Sequence, residues 1–110
     1  MQGTGLSVNI LIKKEEDLFV AHCLELDIVA TGGTVQQVKE DILDLIVAQV
    51  DYAFSNNNLD NLYHPAPPDV WREFFACKGI PEAMKRKVGA GRKKTSVPPQ
   101  IVASTCLCVA

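Results

Sequence analysis

Apolar and polar residues alternate from the start of the chain. In LSVNILIK, residues 6–13, Val8, Ile10 and Ile12 interleave with Ser7, Asn9 and Leu11. That period of two predicts a strand with one well-buried face. Lys14-Glu15-Glu16-Asp17 then reads as a polar loop of hairpin length. Residues 18–24 form a second strand. Phe19, Ala21 and Cys23 point one way, and Leu18, Val20, His22 and Leu24 the other. Apolar residues on both faces predict a central strand covered on both sides, at least in an oligomer. Glu25-Leu26-Asp27 is a short, charged link, and residues 28–31 are a third strand. Gly32-Gly33 follows as a turn.

At Thr34 the period changes. Val35, Val38, Ile42, Leu45, Ile46 and Ala53, with Val50 and Phe54 nearby, recur at the i, i+3, i+4, i+7 spacing of one buried helical face. Thr34 is a suitable N-cap, and Gln37 stands where it completes a capping box. The run Ser55-Asn56-Asn57-Asn58 suits the helix exit. Beyond it, Pro65-Ala66-Pro67-Pro68 predicts an extended elbow. DVWREFFACK, residues 69–78, predicts a short aromatic helix capped by Asp69 and stopped at Gly79, with Val70, Phe74 and Cys77 on one stripe. PEAMKRKV, residues 81–88, suggests a further helical turn, and Gly89-Ala90-Gly91 breaks it. QIVASTCLCVA, residues 100–110, has strand character and would be a sticky free edge, so it is expected to pair with its own sheet or a second subunit's.

The expected fold is therefore α+β: a three-stranded antiparallel sheet packed on one long helix in the order β-β-β-α, then a short helix and a strand-like tail. With 110 residues, one domain is expected, its core at 6–55 and an accessory helix and basic tail at 56–110. The tail strand is expected to contribute to a homodimer or higher homo-oligomer. No apolar run reaches the roughly 18 residues of a membrane span, and no basic-then-apolar leader opens the chain. Both point to a cytoplasmic protein without membrane association. The four cysteines, Cys23, Cys77, Cys106 and Cys108, make no disulfide framework, and Cys23 and Cys77 read as small buried apolar residues. No zinc-ligand spacing is present, so neither a metal nor a cofactor is expected.

Charge divides the chain. Residues 1–77 hold 4 basic against 12 acidic side chains, and residues 78–110 hold 7 against 1. An acidic body can steer a basic partner toward itself.

The run FVAHCLELDIVATGGTVQQV resembles the HicB antitoxin family. The matching residues are Phe19, Val20, Ala21, His22, Cys23, Leu24, Glu25, Leu26, Asp27, Gly33 and Thr34, with the acidic loop Glu15-Glu16-Asp17 upstream. The resemblance spans about residues 6–54. Many members carry an acidic residue and an alanine where this chain has Gln37 and Val38. Many also end in a DNA-binding domain with no counterpart after residue 55, which argues against operator binding. The resemblance implies a domain that binds and blocks a small basic HicA-type ribonuclease toxin. Charge suggests Glu15, Glu16, Asp17, Glu25 and Asp27 as part of the contact surface, since acidic side chains can occupy a surface built for phosphate.

Catalysis is not expected. His22 cannot act as a base toward Cys23, because strand neighbours face opposite ways. His22 and Asp27 flank one bend that could bring them together, but no nucleophile or phosphate loop completes a site, so a small hydrolase using His22 is the weakest reading. Glu25 and Asp27 fit a solvated turn better than the paired carboxylates of an RNase H-like site. The alternative to a toxin partner is nucleic acid, bound through Lys85, Arg86, Lys87, Arg92, Lys93 and Lys94. A soluble linker explains those basic triplets more simply.

Overall fold

A computed structural model describes residues 5–56, 61–87 and 100–108. Seven elements follow in order: β1 (Gly5–Glu15), β2 (Leu18–Cys23), β3 (Ile28–Gly32), α1 (Val35–Ser55), α2 (Pro68–Ala76), β4 (Glu82–Lys87) and β5 (Gln100–Cys108). The strands form one five-stranded sheet in the order β3-β2-β1-β5-β4. β1 is antiparallel to β2 and parallel to β5. The α+β class and the β-β-β-α core stand as expected, but the sheet has five strands and is mixed. The tail is not a free edge. β5 pairs with β1 on one side and with β4 on the other, so both its edges are filled within the chain.

Alternation decides which face each strand buries. Ile10 faces Cys23 and Ile12 faces Ala21 across the β1–β2 ladder, and Ala21 faces Ala30 across β2–β3. Val8 and Ala103 are register partners across β1–β5. These side chains meet Val38, Ile42, Leu43, Ile46 and Val50 of α1 in a single core. The helix is rotated slightly from the expected stripe. Leu43 is buried, whereas Leu45 and Phe54 are nearly half exposed. On the helical wheel Leu43 and Leu45 stand equally far to either side of the stripe through Val38, Ile42, Ile46, Val50 and Ala53, so burial of Leu43 and exposure of Leu45 mean that α1 is turned toward its Leu43 side.

Thr34 caps α1, its hydroxyl accepting from the Gln37 amide at 3.0 Å. Thr34→Ala removes that acceptor and is expected to cost about 1 kcal/mol. A drop in urea midpoint without a change in slope would show it. The Gly32-Gly33 turn needs no left-handed backbone. Among the described residues the non-glycine positions with positive φ are Glu16 (56°) and Asp27 (55°), one in each hairpin link.

The helical turn expected at residues 81–88 is absent from residues 81–87, and Val88 lies outside the described residues. Glu82–Lys87 is edge strand β4, because every second residue meets α1 or its partner strand. Met84 packs against the core. Arg86 reaches over α1 and donates to Glu40 and Asp44, each at 2.8 Å, while Lys39 pairs with Glu82. Partly exposed and open to screening, the Arg86 contacts contribute about 1 kcal/mol together.

The second face of the sheet carries α2. Pro68 opens this helix and Asp69 lies inside its first turn, so Asp69 is not the cap expected from the sequence. No residue of α2 is fully buried. Lys13 of β1 donates to both Glu73 oxygens at 3.2 Å. Leu11 and Cys106 are buried on this face despite pointing away from α1.

Candidate functional site

The five acidic site residues all lie among the described residues. Glu16 and Asp17 form the exposed two-residue turn between the paired positions Glu15 and Leu18, and Glu15 is exposed beside them. Asp27 is exposed in the β2–β3 link, at the far end of β2. Six strand residues separate the two turns, about 20 Å at the rise of an extended chain. The five acids are therefore not brought into one cluster.

Glu25 is not on a solvated turn. It is 6% exposed, and both carboxylate oxygens are used. Oε1 accepts from the Asn9 amide and Oε2 from Asn9 Nδ2, both at 2.7 Å. The β1–β2 ladder ends at the pair Ile10–Cys23. One residue further, the Asn9 carbonyl still accepts from the Leu24 amide at 2.9 Å, but the Asn9 amide is left facing the turn. The Glu25 carboxylate supplies the acceptor that a longer β2 would have supplied. The backbone of Glu25 and Leu24 is used too, accepting from His64 and Ala66 at 3.0 and 2.7 Å. The proline elbow is thereby held along this turn.

His22 and Asp27 do meet, with His22 Nε2 2.6 Å from Asp27 Oδ1. His22 stands on the sheet face away from α1, between Leu11 and Val29 in the strand registers. Cys23 faces the core, fully buried, and burial pushes its thiol up to about 12. The contact of His22 and Asp27 thus spans a bend and brings no nucleophile with it.

The basic triplet at 85–87 is divided by the sheet. Arg86 faces α1 and is taken by Glu40 and Asp44, whereas Lys85 is exposed on the opposite face. The side chain of Lys87 and all of Arg92, Lys93 and Lys94 lie outside the described residues.

No protein-family model matches the chain, and neither a curated protein nor a solved structure resembles it at a significant level. Geometry therefore carries the functional argument. Among the described residues no helix is long and apolar enough to cross a membrane. Among them also, no set of three or more His, Cys, Asp or Glu side chains is arranged to hold a metal ion.

One arrangement escaped the sequence reading. Cys77 is not a buried apolar filler. It ends α2, half-exposed, with its sulfur 3.0 Å from that of Cys106 on β5. Cys108 lies on the same sheet face as Cys106 and also hydrogen-bonds to Cys77. The alternating C-x-C pair was the available signal, since it places two thiols on one face. Nothing in the sequence says that the end of α2 would come down on them.

Proposed function

We propose that this chain acts by binding, without catalysis, as a HicB-like antitoxin or a stand-alone relative that blocks a small basic HicA-type ribonuclease. The observation that carries this reading is the Glu15-Glu16-Asp17 turn. It is an exposed acidic projection at the tip of the β1–β2 hairpin, on a body whose first 77 residues are strongly acidic. Such a tip is suited to a basic, phosphate-binding surface. Asp27 adds a second exposed carboxylate at the other end of β2. Glu25 is left out of the surface, because Asn9 occupies both its oxygens. Self-association belongs to the same reading. Leu18 and Val29 are each 48% exposed on the sheet face away from α1, and covering them in a homodimer would remove apolar surface from water.

The test is co-purification from the native host, with intact masses and a ribonuclease assay on whatever elutes. A small basic protein in fixed stoichiometry, whose RNA cleavage this chain suppresses, supports the reading. Reversing Glu15, Glu16 and Asp17 to lysine is then expected to weaken the complex by at least about tenfold, chiefly through slower association and more so at low salt. Recovery of the chain alone, as a clean oligomer free of nucleic acid, would remove the toxin partner from consideration. Salt-sensitive retention of RNA or DNA would instead favour a nucleic-acid regulator.

A further inference from the structure

The thiols of Cys77, Cys106 and Cys108 serve neither the core nor the proposed acidic surface. They meet where α2 ends. Cys77 leaves the helix in an extended conformation, and two residues later Gly79 lies flat against β5. A β-carbon added at Gly79 would stand 2.3 Å from the Leu107 carbonyl oxygen, so only glycine permits this approach. The approach holds the sulfurs of Cys77 and Cys106 at 3.0 Å, with the Gly79 carbonyl 3.5 Å from Cys106 Sγ. The two cysteines are 29 residues apart in sequence, so their contact comes from the tertiary fold. Their exposures are unequal: Cys77 is only partly buried, while Cys106 is 3% exposed.

We propose that Cys77 and Cys106 form a peroxide-oxidisable dithiol, a modification site that covalently ties the end of α2 to the sheet. Cys77 is the residue that meets the oxidant. Its thiolate attacks one oxygen of hydrogen peroxide, breaking the O–O bond and leaving a sulfenic acid and hydroxide. The Cys106 sulfur then attacks the oxidised sulfur, forming the S–S bond and expelling hydroxide, which leaves as water with the Cys106 proton. Two thiols and one peroxide give one disulfide and two waters. The environment favours this division of labour. Burial works against ionising Cys77, but hydrogen bonds from Cys106, at the Gly79 backbone and from Cys108 hold its thiol below the ordinary cysteine value. Burial and the neighbouring Cys77 push Cys106 up to about 11. The attacking and resolving roles are therefore distinct before any oxidant arrives. A dithiol of this kind in a reducing compartment is transient and responds to oxidant, as cytosolic disulfides generally do.

The experiment treats the fully reduced chain with hydrogen peroxide, quenches with iodoacetamide and maps the tryptic peptides. The intact protein should lose two hydrogens, and dithiothreitol should restore them. The cross-link should join the peptide of residues 73–78 to that of residues 95–110, with Cys23 left as free thiol. Cys108→Ser should retain the cross-link. Cys77→Ser should abolish it, because Cys106 and Cys108 occupy alternate positions on one strand and cannot reach each other. Before oxidation, iodoacetamide should modify Cys77 at least about tenfold faster than Cys23. The proposal is overturned if wild-type protein yields only Cys77 sulfinate or intermolecular disulfides. It is equally overturned if Cys108→Ser loses the bridge while remaining folded by circular dichroism.

Discussion

Replacing Glu25 by alanine is expected to destabilise the domain by about 3 kcal/mol, the largest effect of any single substitution considered for this chain. The carboxylate is buried and accepts two charge-assisted hydrogen bonds from one residue. Truncation removes both and leaves the half-buried Asn9 amide and side chain without that acceptor. The loss of a bond to a charged group and the cost of an orphaned donor each contribute on the order of 1–3 kcal/mol. Glu25→Gln should recover most of the loss. Its carbonyl can still accept from the Asn9 amide, and rotation of the Asn9 side chain restores a complementary second contact. Glu25→Asp should not recover it, being one methylene too short. Glu15→Ala, on the exposed hairpin, is the control and should stay within about 0.5 kcal/mol of wild type. Urea unfolding followed by circular dichroism measures all four. A Glu25→Ala variant as stable as Glu15→Ala would show that the carboxylate does not complete the ladder.

Gly79→Ala should produce the second large effect, about 2–3 kcal/mol, through steric conflict with strand β5. The obstructing atom is the Leu107 carbonyl oxygen, part of the β5 backbone, so no side-chain rotation can relieve the clash. The loop must lift, and the end of α2 must lift with it. Peroxide cross-linking of Cys77 to Cys106 should then slow by more than about tenfold, because the reaction needs the sulfurs held together. Gly33→Ala is the matched control. Nothing lies within 4 Å of its added β-carbon, so it should be neutral or slightly stabilising. Equal stability for the two alanine variants, measured by urea midpoint, would mean that residues 77–79 do not rest on β5.

What could be read in advance was whatever the chain states locally. The alternation of Val8, Ile10 and Ile12, the Thr34 cap and the helical stripe through Ile42 and Ile46 each depend on neighbours within a few residues. All three are present in the fold. The misreadings involve partners far away in sequence. Residues 82–87 mix Lys, Arg, Glu, Ala and Met, a composition compatible with a helix. They become a strand because β5 offers an unpaired edge and α1 offers Glu40 and Asp44 to Arg86. The parallel pairing of β5 with β1 has no local signature at all. Glu25 looked like a surface residue because a short charged link normally is one. Its acceptor role is set by Asn9, 16 residues upstream. Cys77 was misjudged for the same reason, its neighbours being Cys106 and Cys108.

The placement of β5 between β1 and β4 also constrains the order in which the molecule can be assembled. As the chain emerges from a ribosome, β1, β2, β3 and α1 can pair and pack early, since each contacts a near neighbour in sequence. The other side of β1 must wait for residues 100–108. Until then a long apolar strand, with Val8, Ile10 and Ile12 on one face, presents bare amides and carbonyls along its length. β4 is made before β5 and has no strand to join in the interval. Such a nascent intermediate is open to pairing with other unfinished chains, and early termination makes that state permanent. Truncation after residue 87 should accordingly yield insoluble protein rather than a smaller folded domain.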